Sequence, residues 1–112
     1  MTQTDTHIID LTMVAPKGAV LFLSGKDRGI AARKTLQIDE VESKYANLII
    51  SIPDFLIGIN SSFANGLLAA TYAKYESENE FEEHVKFEGD LSIIAEILVA
   101  LRRGASGGLS IN

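Results

Sequence analysis

Apolar residues occur along the chain in short continuous runs and in longer segments with helical spacing. The runs at residues 19–23 and 47–52 are closed off by polar or turn residues, which is typical of buried strands. The second run is apolar almost throughout, which favours a central strand covered on both faces. We also predict edge strands at residues 8–13 and 84–88. The strands at residues 8–13 and 19–23 flank a turn signal at residues 16–18 and together predict a hairpin.

Helical spacing begins after the second predicted strand. Between residues 25 and 45, apolar positions recur at roughly helical intervals with charges between them, which predicts one long helix or two short ones. Ser24 is placed to cap the start of this segment. A break or bend is expected at residues 37–39, where Asp39 followed by Glu42 forms a second capping signal.

Two further helices are predicted at residues 62–75 and 91–103. Asp90 is placed to cap the second of them, and Gly104 with the small residues after it should end that helix. The resulting order is β-β-α-β-α-β-α. Strands that alternate with helices predict an α/β fold, here a small mixed sheet of about four strands with helices packed on at least one face.

Length and composition are those of one ordinary globular domain. The chain has 112 residues, of which 46% are hydrophobic and 22% are charged. We therefore expect a single domain over residues 1–112, with its core at residues 8–103 and flexible termini at residues 1–6 and 104–112. The formal net charge of −5 argues against nucleic acid as a partner, because binding to phosphates requires a basic surface.

The absence of cysteine excludes disulfides, thiolate metal sites and cysteine nucleophiles. The first residues lack the basic and apolar regions of a signal peptide. No apolar run has the length needed to span a bilayer. We therefore expect a cytoplasmic protein that does not associate with membranes.

Residues suited to catalysis are few. The two histidines, His7 and His84, lie far apart and have no neighbours at metal-ligand spacing. No nucleophile and base can be paired, so we expect neither an enzyme nor a bound cofactor or metal. Lys26 and Arg28 belong to a cation-rich turn between a predicted strand and helix, which can meet an anionic partner. A small-ligand or nucleotide site at this turn is an alternative hypothesis.

The polar corner at Asn60, Ser61 and Ser62 allows two interpretations. A serine at a helix start accepts a hydrogen bond from an unpaired backbone N–H group, which contributes about 1 kcal/mol. The same N–H groups and the positive end of the helix dipole stabilise a phosphate, so a serine at this place also suits phosphorylation. Both roles fit together if Ser62 is the cap and Ser61 is the phosphorylation candidate, with Ser62 as a second candidate.

This corner, with the strand before it and the helix after it, resembles the central part of a STAS domain. The stretch INSSFANGL at residues 59–67 is similar to a STAS-like family whose helix begins with Ser-Ser-Phe followed by small or acidic residues. The turn SGKDRGIA at residues 24–31, the later strand and the last amphipathic helix follow the order of that family. The resemblance covers about residues 18–103.

The resemblance implies a mixed sheet with helices on one side and a regulatory role without catalysis. The best-known STAS domains are anti-anti-sigma factors, which bind a histidine-kinase-like ATPase that phosphorylates a serine in an Asp-Ser-Ser-Gly motif. Ser61 matches that serine and Ser62 the next one, while Asn60 and Phe63 replace the Asp and the Gly. The implied function is binding of such an ATPase through residues 60–68, switched by serine phosphorylation.

Three surfaces follow as candidates for binding. An alternative to the regulatory function is a structural domain that forms homo-oligomers through apolar helix faces or through the strand at residues 84–88. The acidic segment at residues 76–83 can also dock a basic partner, with Phe81 as an apolar anchor. The expected partner-binding residues of the regulatory function are Asn60, Phe63, Asn65, Lys26 and Arg28.

Overall fold

Strands and helices alternate in an α/β fold, as the sequence pattern predicted. A computed structural model of the chain describes residues 5–15, 18 and 21–110. Parts of the predicted termini, of the turn at residues 16–18 and of the strand at residues 19–23 therefore lie outside the described residues. The strands are β1 (Thr6–Asp10), β2 (Phe22–Leu23), β3 (Asn47–Ser51), β4 (Gly58–Ile59) and β5 (Val85–Glu88). The helices are α1 (Lys26–Thr35), α2 (Ile38–Lys44), α3 (Ser61–Tyr72), α4 (Glu78–His84) and α5 (Leu91–Ser110), and a 3₁₀ turn spans Leu11–Met13.

The strands divide into two parallel sheets, where a single mixed sheet was predicted. The larger sheet has the order β1-β3-β5, and the smaller one pairs β2 with β4. β3 is the central strand of the larger sheet and β5 an edge strand, as predicted. The predicted hairpin is wrong, because β1 and β2 lie in different sheets. Each of these strands pairs with a strand much farther along the chain, and the local turn signal gives no information about that pairing.

The central strand of the three-stranded sheet is buried on one face only. Leu48 and Ile50 of β3 are buried on that face, whereas Ile49 between them is half-buried. On the other face Ile49 lies between Ile8, which is 58% exposed, and the exposed Lys86. The prediction that β3 is covered on both faces is therefore wrong. A continuous apolar run can also form a strand that leaves one side accessible.

The segment at residues 25–45 forms two helices, one of the two arrangements predicted. The chain breaks at Gln37, which adopts the left-handed conformation with φ of 56° and is the N-cap of α2. Ser24 does not cap α1, because the N-cap is Gly25 and no side chain bonds to the first turn. Asp39 lies in the first turn of α2 and not at its cap, and its carboxylate bonds to a side chain of α1.

The acidic segment at residues 76–83 forms α4 and buries its aromatic residue. The hydroxyl of Ser77 caps the helix by accepting a hydrogen bond from the N–H group of Glu80 at 3.1 Å. Phe81 is fully buried and packs edge-on against the rings of Tyr72 and Tyr75. Phe81 is therefore part of the core and not the exposed anchor that was predicted.

Asp90 caps α5 as predicted, since its Oδ1 accepts hydrogen bonds from the N–H groups of Ser92 and Ile93. The helix does not end at Gly104 but continues to Ser110, so the predicted flexible end is helical through that residue. Gly104 packs against Asn65 of α3, so the helix continues through this position despite the poor helix propensity of glycine. In the described part of the chain, no helix combines the length and apolar character that crossing a bilayer requires.

Candidate functional site

The start of α3 is organised by Asn60, the N-cap residue. Its side-chain Oδ1 accepts a hydrogen bond from the N–H group of Phe63 at 3.1 Å and another from the hydroxyl of Ser62 at 2.8 Å. The prediction that Ser62 is the cap is therefore wrong. Both side chains can satisfy an N–H group at this end, but the extended backbone of Asn60 places it one residue before the helix, which is the position a cap requires.

Ser61 is the serine of this corner whose hydroxyl faces solvent without a partner among the described residues. Its backbone carbonyl accepts a hydrogen bond from Asn65 Nδ2 at 3.1 Å. The same Nδ2 donates to the carbonyl of Ala100 in α5, also at 3.1 Å. Asn65 therefore ties the first turn of α3 to α5, while the Ser61 hydroxyl remains accessible for chemistry.

Two neighbouring strands place the starts of α1 and α3 side by side. β2 and β4 are parallel, and the N–H group of Asn60 donates to the carbonyl of Leu23 at 2.9 Å just beyond the paired residues. Each strand leads directly into a helix. The carboxyl ends of adjacent parallel strands are a common position for binding sites, since the following helices direct their N–H groups outward there.

The crossing of α1 and α3 depends on two glycines. A Cβ atom added to Gly66 would collide with the backbone carbonyl of Lys26, and one added to Gly29 would collide with that of Phe63. The absence of both side chains lets the two helix backbones meet directly. This close contact brings Lys26, in the first turn of α1, next to the first turn of α3.

Two grooves meet at Ser61 and Asn65. The first, which we call the lysine groove, has a volume of about 920 Å³. The second, which we call the arginine groove, lies between the α3 start and α5 and has a volume of about 550 Å³. The lysine groove is lined by Lys26, Ser61, Ser62, Asn65, Ala69 and Gly104, among others. The arginine groove is lined by Asn60, Ser61, Asn65, Glu96, Val99 and Arg103, among others.

The structure gathers some of the expected partner-binding residues and separates others. Asn60, Asn65 and Lys26 line the grooves around Ser61. Arg28 lines a different groove, with Met13 and Phe22 among its neighbours, so the two cations of the predicted basic turn diverge. Phe63 is only 2% exposed, and its side chain therefore packs in the core instead of lining either groove at this corner.

A buried ionic network behind the corner was not predicted. Arg33 of α1 donates through Nη1 to the carbonyl of Leu67 at 2.7 Å and to the Thr71 hydroxyl at 2.9 Å. Through Nη2 it bonds to Asp39 at 2.7 Å and to Glu42 at 3.2 Å, and this hydrogen bond and charge lower the pKa of Asp39. In the sequence Arg33 looks like one more member of a surface charge cluster. The available signal is that Arg33 follows Gly29 by four residues and therefore shares a face of α1 with that buried glycine.

A second charged cluster joins α4 to α5 at the surface. Arg102 Nη2 lies 2.8 Å from Glu78 Oε2, and the Tyr72 hydroxyl donates to Glu78 Oε1 at 3.0 Å. The hydrogen bond from Arg102 is the main reason that the pKa of Glu78 is lowered to about 2. Burial raises the pKa of the neighbouring Glu82, and it also raises that of Tyr72. Of these groups Tyr72 also lines the lysine groove, whereas Glu78, Glu82 and Arg102 line neither groove beside Ser61.

Comparisons with protein-family models, with curated proteins and with solved structures find no match to this chain. The resemblance to STAS-like domains therefore rests on the residues of the corner and on the order of elements. In the described ranges, no group of three or more His, Asp or Glu side chains is placed to hold a metal ion. The distinctive feature of the corner is an exposed hydroxyl beside two helix N-termini.

Proposed function

We propose that this protein is a non-catalytic, STAS-like regulatory module of the cytosol. In this proposal it binds a protein partner, with a histidine-kinase-like ATPase as the candidate, through the first turns of α3 and the two grooves beside them. Phosphorylation of Ser61 switches the interaction. The accessible part of residues 60–68 is polar and consists of Asn60, Ser61, Ser62 and Asn65, so the contact with the partner is made there.

The observation that carries the proposal is that the two serines differ, since the hydroxyl of Ser62 is hydrogen-bonded and Ser61 is exposed. Asn60 already caps α3, and the Ser62 hydroxyl is committed to Asn60 Oδ1. Ser61 is exposed and lines both grooves. A kinase needs an accessible hydroxyl, and a partner that covers both grooves must pass over this residue.

The charges around Ser61 favour a phosphate that is held locally. The positive end of the α3 dipole lies beneath the residue, Lys26 borders one groove, and Arg103 borders the other together with Glu96. A phosphate adds roughly −1.5 to −2 charges. That change is large enough to alter the complementarity of the corner with a charged partner surface.

The test combines capture with phosphorylation. Immobilised wild-type protein, Ser61→Ala and Ser61→Asp are incubated with extract from the cells that make the protein, and captured proteins are identified by mass spectrometry. We expect a histidine-kinase-like ATPase on the wild type and on Ser61→Ala, and roughly tenfold less of it on Ser61→Asp because the added charge mimics the switch. With ATP present, the captured kinase should phosphorylate the wild type at Ser61.

Two controls make the result specific. Ser62→Ala should still be phosphorylated, because its hydroxyl is not the acceptor. Ser92→Asp places the same charge on an exposed serine of α5 outside both grooves and should leave capture unchanged. Phosphate found only on Ser62, or equal capture by all variants, would refute the proposed switch.

A further inference from the structure

The outer edge of β5 carries hydrogen-bonding groups with no strand beside them. β5 pairs with β3 on its inner side and is the last strand of its sheet. The N–H group of Ile52 donates to the carbonyl of Glu88 at 2.8 Å, so the backbone groups of Glu88 point toward β3. Because backbone groups alternate in direction along a strand, those of Phe87 point outward. No backbone bond from another described segment reaches them.

The residues on either side of Phe87 are self-complementary. If two copies of β5 pair antiparallel with Phe87 opposite Phe87 of the second copy, Lys86 of each copy lies opposite Glu88 of the other. The outward N–H and C=O groups of the two Phe87 residues then form a reciprocal pair of hydrogen bonds. Each Lys86–Glu88 pair is a non-hydrogen-bonded pair, in which the side chains approach most closely.

A groove beside the edge, in which apolar residues lie next to Asn79, Glu82, Glu83 and Lys86, has room for the second copy. It has a volume of about 520 Å³ and runs between α4, β5 and α5. Leu91 on its wall is 81% exposed, the largest exposure among the large apolar residues of the described part of the chain. Residues directly opposite in an antiparallel pair share a face, so the Phe87 ring of the second copy would lie at this groove. The apolar residues that line the groove are Val85, Phe87, Leu91, Ile94 and Leu98.

We propose that β5 is the interface of a two-fold symmetric homodimer in which the two three-stranded sheets join into one continuous sheet. The occupant of the edge is a second copy of this chain, because the sequence Lys86-Phe87-Glu88 complements itself under the two-fold axis. This surface shares no residue with the corner at Ser61, so the inference does not depend on the proposed function.

The charges provide a direct test. Sedimentation velocity of the full chain over a range of concentrations should show a reversible monomer–dimer equilibrium. Lys86→Glu and Glu88→Lys each place like charges opposite one another across the two-fold axis, and each should raise the dissociation constant roughly tenfold or more. The double variant Lys86→Glu/Glu88→Lys restores opposite charges and should dimerise about as well as the wild type.

Control and readout distinguish this interface from others. Lys34→Glu changes an exposed lysine of α1 by the same charge and should leave the equilibrium unchanged. Hydrogen exchange of the Phe87 amide should slow with concentration in the wild type and not in Lys86→Glu. A monomer at all concentrations overturns the proposal, as does a dimer that is indifferent to the single changes, or one that the double variant fails to restore. Either of the last two outcomes would show that the dimer forms through another face, or that the edge of β5 binds a different partner.

Discussion

Helix α3 is held differently on its two sides. On the α1 side the backbones meet at Gly29 and Gly66, and the side chain of Arg33, only 9% exposed, is enclosed by its partners. On the α5 side the nearby ion pair joins Arg102 of α5 to Glu78 of α4 and reaches α3 only through the Tyr72 hydroxyl, and the Arg102 side chain is 55% exposed. Asn65 bridges to α5, and grooves remain on either side of that bridge.

The charged groups on the α1 side of α3 stabilise the fold, whereas those on the α5 side are accessible to solvent. A buried charge that loses its partner is strongly destabilising, whereas an exposed ion pair is screened by water and salt. We therefore expect substitutions to cost more stability on the α1 side than on the α5 side. The corner that we propose as the binding site lies at the open side, and the closed side holds it in position.

The contrast is tested most severely at the glycines. Gly66→Ala places a Cβ atom against the backbone carbonyl of Lys26, which cannot move without separating α1 from α3. We expect the free energy of unfolding to fall by at least about 3 kcal/mol, the upper part of the range for overpacking. Urea denaturation followed by circular dichroism measures it.

Gly104→Ala is the matched control on the open side. There the new Cβ would meet the side-chain oxygen of Asn65, which can rotate away. Rotation breaks the hydrogen bonds of Asn65 to Ser61 and Ala100, and the gain in helix propensity of about 1 kcal/mol offsets only part of that cost, so we expect a loss of about 1 kcal/mol, clearly smaller than that of Gly66→Ala. Equal losses for Gly66→Ala and Gly104→Ala would show that the two sides of α3 are packed alike.

The second prediction concerns the buried arginine. Arg33→Met removes the donor to Leu67 and Thr71 and leaves the Glu42 carboxylate, 8% exposed, with Lys74 and Thr71 as its remaining contacts. We expect a loss of about 3 kcal/mol in the free energy of unfolding, as for other broken buried ion pairs. Denaturation in urea at neutral pH provides the measurement.

A double variant distinguishes the cost of the lost contacts of Arg33 from the cost of leaving the Glu42 carboxylate buried without its partner. Arg33→Met/Glu42→Leu removes both charges, and we expect it to recover part of the stability that Arg33→Met loses, because the unpaired carboxylate is gone. If the two changes simply add, the penalty comes from lost packing and hydrogen bonds and not from a buried unpaired charge.

Elements defined by local signals could be predicted from the sequence. The break at Gln37 and the cap at Asp90 depend on nearby residues, and the structure confirms them. The structure also confirms the central position of β3, which its apolar composition predicted. The hairpin prediction failed because strand pairing is decided by parallel partners about 40 residues away, such as Ile8 with Ile49. Local turn chemistry cannot select between such partners.

The candidate site could be predicted only in outline. The serine corner was found because capping residues are recognisable, but its cap was assigned two residues too late, to Ser62 instead of Asn60. Arg33 was taken for a surface charge since two of its partners, Leu67 and Thr71, lie 34 and 38 residues away. Phe63 and Phe81 lie among polar residues, and their burial depends on neighbouring helices.

A smaller effect is expected at the corner itself. Asn60→Ala removes the side chain that caps α3 and should lower the free energy of unfolding by about 1 kcal/mol. Ser62→Ala removes only a hydroxyl that donates to that cap, and we expect less than about 0.5 kcal/mol. Asn60→Asp keeps an acceptor and should be tolerated. Thermal unfolding of the three variants ranks their losses of stability. A larger loss for Ser62→Ala than for Asn60→Ala would show that Ser62 is the capping residue.

The last prediction concerns the ion pair between Glu78 of α4 and Arg102 of α5, where solvent screens much of the contribution to stability. The pKa of Glu78 is lowered from 4.5 to about 2 in the folded protein, so its ionised form adds stability above pH 4.5, and that stability is lost as the pH falls toward 2. Glu78→Gln retains an acceptor for Tyr72 but does not titrate. Its Tm should therefore fall less than that of the wild type across this pH range. Glu96→Gln, an exposed control in α5, should show the same dependence of Tm on pH as the wild type. If the curves of Tm against pH for Glu78→Gln and the wild type were parallel, the pair with Arg102 would contribute nothing to stability.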